Sequence, residues 1–231
     1  MPANNGNVQF ASKPEAARYY TTLGLAVIPS YHPEPLPAYD PDGHQLYRCS
    51  CGDPQCPTPA CHTIGVLTVD RATTNTSRVA AWWTGMPDAN IAMSAGHMCD
   101  VLELDYRAPA EQVAAWLSGR HTEPGPIVQA SPDRLRFLVR SAEPTRAAGR
   151  MIPLPDGELR WLAPDALVLL PPSQTISGFV TTWARPFATR APLLPDAHRL
   201  FDALAHLPTP AELDGWVRLQ GARYDDEPAE P

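Results

Sequence analysis

The sequence predicts an α+β fold, with a mixed or antiparallel sheet and flanking helices. Two observations carry that reading. Short period-two segments recur between residues 90 and 183 without strict strand–helix alternation, and amphipathic helical stripes lie near both ends of the chain. The chain has 231 residues, enough for one sizeable core or two small ones. Its 28 prolines would suggest disorder, but 44% hydrophobic residues and six tryptophans argue for a packed interior. Basic residues number 18 and acidic ones 25, a net charge of -7, which excludes a uniformly basic nucleic-acid clamp and leaves room for a local positive cleft. No apolar run approaches the roughly 20 residues of a membrane span, and MPANNGNVQF has no secretory signature, so a cytoplasmic protein is expected.

Residues 1–11 read as a loose leader. Ser12 and Glu15 form a capping box with Pro14 in the first turn; Ala16, Tyr19, Tyr20 and Leu23 line one helix face, and Gly24 ends it. Leu25–Pro29 reads as a short buried strand. Residues 30–63 are rich in Pro, His, Asp and Cys, carry no period, and are expected to be a long loop with a functional or metal-held reason. Asn75 and Thr76 open a helix bearing Val79, Trp82 and Trp83. Strands are expected over 90–93 and 100–105, a helix over 109–117, and two strands over 127–130 and 135–139 around the turn Ser131-Pro132-Asp133. Segments 158–162 and 166–170 are expected to pair, Pro171-Pro172-Ser173 breaks the chain, and 178–183 is the last strand. Helices over 196–206 and 210–219 precede the acidic tail with Asp225, Asp226, Glu227 and Glu230, expected to be solvated.

Four of the five cysteines cluster as Cys49, Cys51, Cys56 and Cys61, with His62 adjacent. In a reducing compartment such clustering points to metal more readily than to disulfides. Cys49, Cys51, Cys56 and His62 supply the soft and borderline donors that tetrahedral zinc prefers, and Cys61 is a rival to His62 for the fourth position. Zinc would order a loop that has no core of its own. Cys99 reads as a small core residue.

Asp100-Val-Leu-Glu103-Leu-Asp105 is the sharpest local feature. On a strand, Glu103 and Asp105 share one face roughly 6–7 Å apart, while Leu102 and Leu104 pack behind. Two carboxylates so placed repel unless a cation lies between them, and a divalent metal is the usual answer. The bland reading is an exposed strand with hydrophilic alternation. Glu158 opens a separate strand and gains weight only if the fold brings it beside that pair. Arg134, Arg136, Arg140, Arg146, Arg150 and Arg160 follow closely in sequence; the first three would line one strand face as a phosphate-binding cleft or simply pair with surface acids. Trp82 and Trp83 read as core, His97 as a loop histidine, and Ser94 and Gly96 as a turn that could approach a nucleotide. No G-x-S-x-G, Walker P-loop, H-E-x-x-H or G-x-G-x-x-G occurs.

In their order these pieces resemble the bifunctional DNA primase/polymerase (prim-pol) domain of the archaeo-eukaryotic primase superfamily. The resemblance runs over about residues 12–185: the N-terminal helix and strand through Leu23–Pro29, then Ala72-Thr73, Trp82-Trp83 and Pro87…Asn90-Ile-Ala, the acidic strand, Glu158-Leu-Arg160, and Leu170-Pro-Pro-Ser173…Gly178…Trp183. It implies a sheet related to the RNA-recognition fold, with Mg²⁺ or Mn²⁺ held by Glu103, Asp105 and Glu158. Many bacterial members carry a cysteine insert that His62 matches, whereas Cys61 stands where the insert has lysine. The family's glycine-rich turn and phosphate-contacting histidine are replaced here by Ala130-Ser-Pro-Asp-Arg134-Leu-Arg136, and Trp161-Leu-Ala-Pro-Asp165 replaces a glycine-rich continuation.

The resulting expectation is a prim-pol-like domain over 12–190 with a zinc-loop insert over 44–64, a helical segment over 191–222 and an acidic tail over 223–231. It would extend or start primers on DNA from (d)NTPs, with a separate helicase or replication initiator as partner. Ser131, Arg134, Arg136, Arg160 and Ser173 are the expected nucleotide or phosphate contacts. The alternatives are a catalytically degenerate nucleic-acid-binding or replication-accessory module and a zinc-held protein-interaction domain.

Overall fold

The computed structural model describes residues 9–96, 98–141, 149–187 and 194–225. Strand β5 (Asp100–Tyr106) lies inside a six-stranded sheet of order β11-β6-β7-β5-β9-β8. Its companions are β6 (Ile127–Ser131), β7 (Arg134–Val139), β8 (Met151–Leu154), β9 (Gly157–Trp161) and β11 (Thr182–Arg185). A second sheet of three strands runs β1 (Val27–Ser30), β4 (Asn90–Ser94) and β10 (Leu167–Leu169). A third is the hairpin of β2 (Pro33–Tyr39) and β3 (Gln45–Cys49). Every pairing between these strands is antiparallel.

Alternation along β5 divides the molecule into two cores. Leu102, Leu104 and Tyr106 face α3 (Ala110–Ser118), α4 (Ala197–Leu204) and α5 (Pro210–Asp225), together with Phe137 and Trp161. Val101 faces the other way, with Val128 and Leu138, into a core closed by α1 (Lys13–Thr22), α2 (Thr76–Gly85) and the three-stranded sheet. Each such buried side chain contributes about 1.5–3 kcal/mol, so a one-residue slip of β5 would exchange two cores and is strongly disfavoured.

The helix ends follow the sequence chemistry. Ser12 Oγ accepts from Glu15 N at 3.3 Å while Glu15 Oε2 accepts from Ala11 N at 2.9 Å, and Gly24 adopts φ +80° beyond α1. Asn75 caps α2 through Arg78 N at 2.9 Å. The end of the expected leader is docked, with Phe10 packed against Tyr19 and Tyr20. Cys99 and Trp83 are core residues, and Trp82 is half-buried. Helix α5 continues to Asp225, the first acid of the expected tail; residues 226–231 lie outside the described residues.

Four expectations are corrected. Residues 33–49, read as loop, form the β2–β3 hairpin. Prolines at 33, 35 and 37 mask a strand in sequence, yet they alternate with His32 and Glu34. The backbone of His32 bonds to Ser50 at 2.9 Å, so the proline positions fall where an N–H would point away from β3. Segments 158–162 and 166–170 do not pair: β9 lies beside β5, and β10 beside β4 in the other sheet. Gly178 bends and Val180 makes only an isolated bridge to Gln174, so the last strand begins only at Thr182. Strand β8 was not anticipated and pairs with β9.

Gly157 marks the closest strand approach: a Cβ there would stand 1.9 Å from the Asp105 carbonyl oxygen. Gly157→Ala is expected to cost roughly 3 kcal/mol in a urea melt, because backbone rather than a flexible side chain must move. Gly85→Ala, whose new methyl meets nothing within 4 Å, should leave stability unchanged or raise it slightly.

Candidate active site and metal centre

The charged half of one face of the six-stranded sheet is built by register. Glu103 is opposed by Arg136 on β7 and Arg160 on β9; Asp105 is opposed by Arg134 on β7 and Glu158 on β9. Directly opposed residues share a face, with Cα atoms about 4.5–5.5 Å apart. Three acids from two distant segments are therefore brought together with three arginines, and Leu102 and Leu104 pack behind them as expected.

Each acid is tied to an arginine. Arg136 Nε donates to Glu103 Oε2 at 2.8 Å, Arg134 Nη2 to Asp105 Oδ2 at 2.7 Å, and Arg160 Nη2 to Glu158. Glu103 is 7% exposed and Arg136 14%, whereas Arg134 is 38% exposed at the rim. The hydrogen bond it donates to Asp105, reinforced by the fields of Glu103 and Glu158, raises Arg134 above its ordinary pKa against the opposing effect of burial. Arg134 Nε and Arg160 Nε are shielded from solvent with no hydrogen-bond partner; the former lies 3.9 Å from Glu103 Oε1. A buried orphan donor costs about 1–3 kcal/mol, so both mark places where an acceptor is missing.

The other expected contacts divide. Ser131 stands opposite Arg134 at the β6–β7 turn. Ser173 is fully buried, its hydroxyl accepting from Ile91 N at 2.8 Å and donating to Ile91 O at 3.1 Å, so a structural bond consumes the group expected to meet phosphate. Arg140 leaves the proposed arginine face and pairs with Asp196 at 3.3 Å. Arg150 lies over the Phe201 ring. Ser94 is buried, and Gly96 packs close to Pro164, so that turn is occupied by protein. Arg146 and His97 lie outside the described residues.

The cysteine cluster assembles from the end of the unanticipated hairpin. Cys49 terminates β3, Cys51 follows in a tight turn with Gly52 at φ +80°, and Cys56 and His62 return to it. His62 Nε2 lies 3.3 Å from Cys49 Sγ and 3.4 Å from Cys56 Sγ, and all four donors lie within 4.8 Å of one another. Tetrahedral zinc separates thiolate and imidazole donors by roughly 3.5–3.8 Å, so the set fits that ion in chemistry and size. His62 takes the fourth position. Cys61 points away: its Sγ donates to Leu167 O at 3.6 Å, near Arg136 and Glu103, and burial raises its thiol pKa.

Backbone contacts anchor the cluster to the fold. Ala60 N donates to Cys49 Sγ at 3.3 Å, and Asn90 Nδ2 donates to Ala60 O at 3.1 Å. Tyr31 N and Ser30 Oγ both donate to His62 O at 2.9 Å, and the Tyr31 ring stacks on His62 with centroids 4.5 Å apart. Lys13, the single lysine, donates to Asn90 Oδ1 at 3.1 Å and to Asp88 O at 2.8 Å; burial lowers its pKa to about 8.

Sequence reasoning missed a second group, Asp40, Asp42 and His44, at the tip of the hairpin. Its signal, D-P-D-G-H, was present, but Asp40 Oδ1 is already engaged by the backbone N–H groups of Asp42 and His44. The three sheet carboxylates do not form such a converged group among the described residues, because each turns toward its arginine.

Residues 16–209 match the family described as bifunctional DNA primase/polymerase, N-terminal. The chain belongs to the Prim-Pol family. No curated protein matches it. Membership places the chain among primase/polymerase-like nucleotidyltransferase domains, whose substrates are DNA and nucleotides and which generally use divalent metals. No described helix is long and apolar enough to cross a membrane. In this Prim-Pol chain the family match spans both the acidic face and the cysteine cluster.

The metal centre gives a direct test. The Asp53 backbone N–H lowers the Cys51 thiol below its ordinary value, whereas burial raises Cys56 to about 11. A zinc ion must displace the Cys56 proton, so zinc affinity should fall as pH drops. Elemental analysis should find one zinc per chain, lost in Cys56→Ser and His62→Ala and kept in Cys61→Ser. Zinc retained by the first two variants would refute the ligand set.

Proposed function

We propose that the chain is a nucleotidyltransferase that extends or starts primers on a DNA template from (d)NTPs, with its centre on the β7–β5–β9 face. The observation that carries this reading is the register: Glu158 stands directly across from Asp105, on the same face as Glu103. Three carboxylates so grouped supply the hard oxygen donors that Mg²⁺ and Mn²⁺ prefer, and the set fits those ions in kind. Divalent ions held there would lower the pKa of an attacking 3′-hydroxyl and neutralise the triphosphate.

The protein's own contribution is positioning and charge. Arg134, Arg136 and Arg160 offer planar forks suited to phosphate oxygens, and two of them carry unused Nε–H donors. Arg134 and Arg136 stand in the stretch that replaces the family's glycine-rich turn and histidine, so side-chain donors replace a close backbone approach. Buried Glu103 and its partly buried partner Arg136 form the floor, while the more exposed Arg134 sits at the solvent edge. We assign the zinc a structural role: it would hold segment 49–62, whose Cys61 bonds Leu167 on β10.

One observation favours a second reading. All three acids are already neutralised by arginines, as in a chain that has lost catalysis and binds nucleic acid as a replication-accessory module. Primer extension separates the two. With a primed DNA template, dNTPs and Mn²⁺, the unmodified protein should incorporate nucleotides. Glu103→Gln and Asp105→Asn should each lose more than about a hundredfold, since even outer partners of a metal site cost ten- to a hundredfold. Template binding without incorporation would select the accessory module.

A further inference from the structure

The Arg134 guanidinium occupies the position of a cation. Its Nη2 lies 2.7 Å from Asp105 Oδ2 and its Nε 3.9 Å from Glu103 Oε1, and the field of Glu158 also reaches it. It therefore does what a divalent ion would do there: it relieves the repulsion of three carboxylates grouped on one sheet face. We propose that Arg134 is a built-in counter-ion that competes with the divalent metal for these carboxylates and is drawn off them by the nucleotide triphosphate, so that nucleotide arrival opens the metal site. The inference rests on the reading of this face as a nucleotide and metal site.

Three features support the exchange. Three acids and three arginines make the face formally neutral, so the resting site has little net field to attract a dication. Arg134 follows the Ser131-Pro132-Asp133 turn and is 38% exposed, so its side chain can swing outward without unpacking a core. Its Nε–H, and that of Arg160, lack acceptors, and phosphate oxygens would satisfy both. Arg136 is a poorer candidate for movement because it is 14% exposed and bonded to nearly buried Glu103. By linkage, a ligand that favours the arginine-out arrangement raises metal affinity, and metal raises affinity for that ligand equally.

The test measures two affinities on zinc-replete full-length protein. Mn²⁺ binding is followed by electron paramagnetic resonance without nucleotide, and inorganic tripolyphosphate binding by calorimetry without added divalent metal. Arg134→Gln should tighten Mn²⁺ by about tenfold and weaken tripolyphosphate by about tenfold, the scale of one 1.4 kcal/mol charge interaction. A merely structural arginine would weaken both. Arg140→Gln, at the Asp196 pair outside the face, should change neither. Adding Asp105→Asn to Arg134→Gln should abolish the gain in Mn²⁺ affinity and so locate it on this face.

Arg134→Lys, which keeps a charge in the sheet, covers the case in which the neutral variant does not fold. Its compact ammonium spans fewer acids, and Mn²⁺ should tighten by about threefold. Mn²⁺ affinity that is unchanged or reduced in every folded Arg134 variant overturns the exchange. Absence of primer extension in the unmodified protein, with the opposed affinity shifts intact, would instead overturn the catalytic reading and leave the exchange standing.

Discussion

The antiparallel register of β5 between β7 and β9 is the constraint on which the site depends. It is held by apolar burial on both faces of the sheet rather than by the charges themselves. Leu102 and Leu104 anchor one side, Val101 the other, and Gly157 lets β9 approach closely enough for Glu158 to face Asp105. With that register in place, six charged side chains share a surface whether or not their mutual interactions favour folding. Buried or half-buried ion pairs often do little better than break even, because desolvation offsets attraction. The charged ladder is thus carried by the fold, which is how a functional site usually persists against its own electrostatic cost.

The second structural theme is mechanical linkage between the cysteine cluster and the acidic face. His62 turns into the cluster while the next residue back, Cys61, turns to Leu167 beside Arg136 and Glu103. Consecutive residues pointing opposite ways let one short segment contribute to the cysteine–histidine cluster and also contact β10. Asn90 reinforces it by bonding Ala60, Gln174 and Lys13 together. The hairpin β2–β3 presents Cys49 at its end, so the cluster begins on regular strand pairing rather than on loop.

Legibility in the sequence followed the range of the interactions involved. Local chemistry was readable: the capping box at Ser12 and Glu15, the Asn75 cap, the β6–β7 turn and the alternation along 100–105 all appear where residue types require them. The hairpin at 33–49 was hidden because proline normally argues against a strand, and only the direction of the His32 backbone shows that these prolines lie on the unpaired side. Ser173 is a related case: a hydroxyl after a proline pair looks available in sequence, and the fold turns it onto the Ile91 backbone.

By itself the sequence determined residue chemistry and spacing: soft donors within one short stretch, two acids on one strand face, arginines at alternate positions, and the ordered motifs of the Prim-Pol family. Only the tertiary structure decided which strand lies beside which. That choice set Glu158 opposite Asp105, sent Arg140 to Asp196, and gave the fourth cluster position to His62 rather than Cys61. The reason is physical: strand order and side-chain direction are fixed by long-range burial on two faces of a sheet, and no local pattern of residues encodes which distant segment completes that burial.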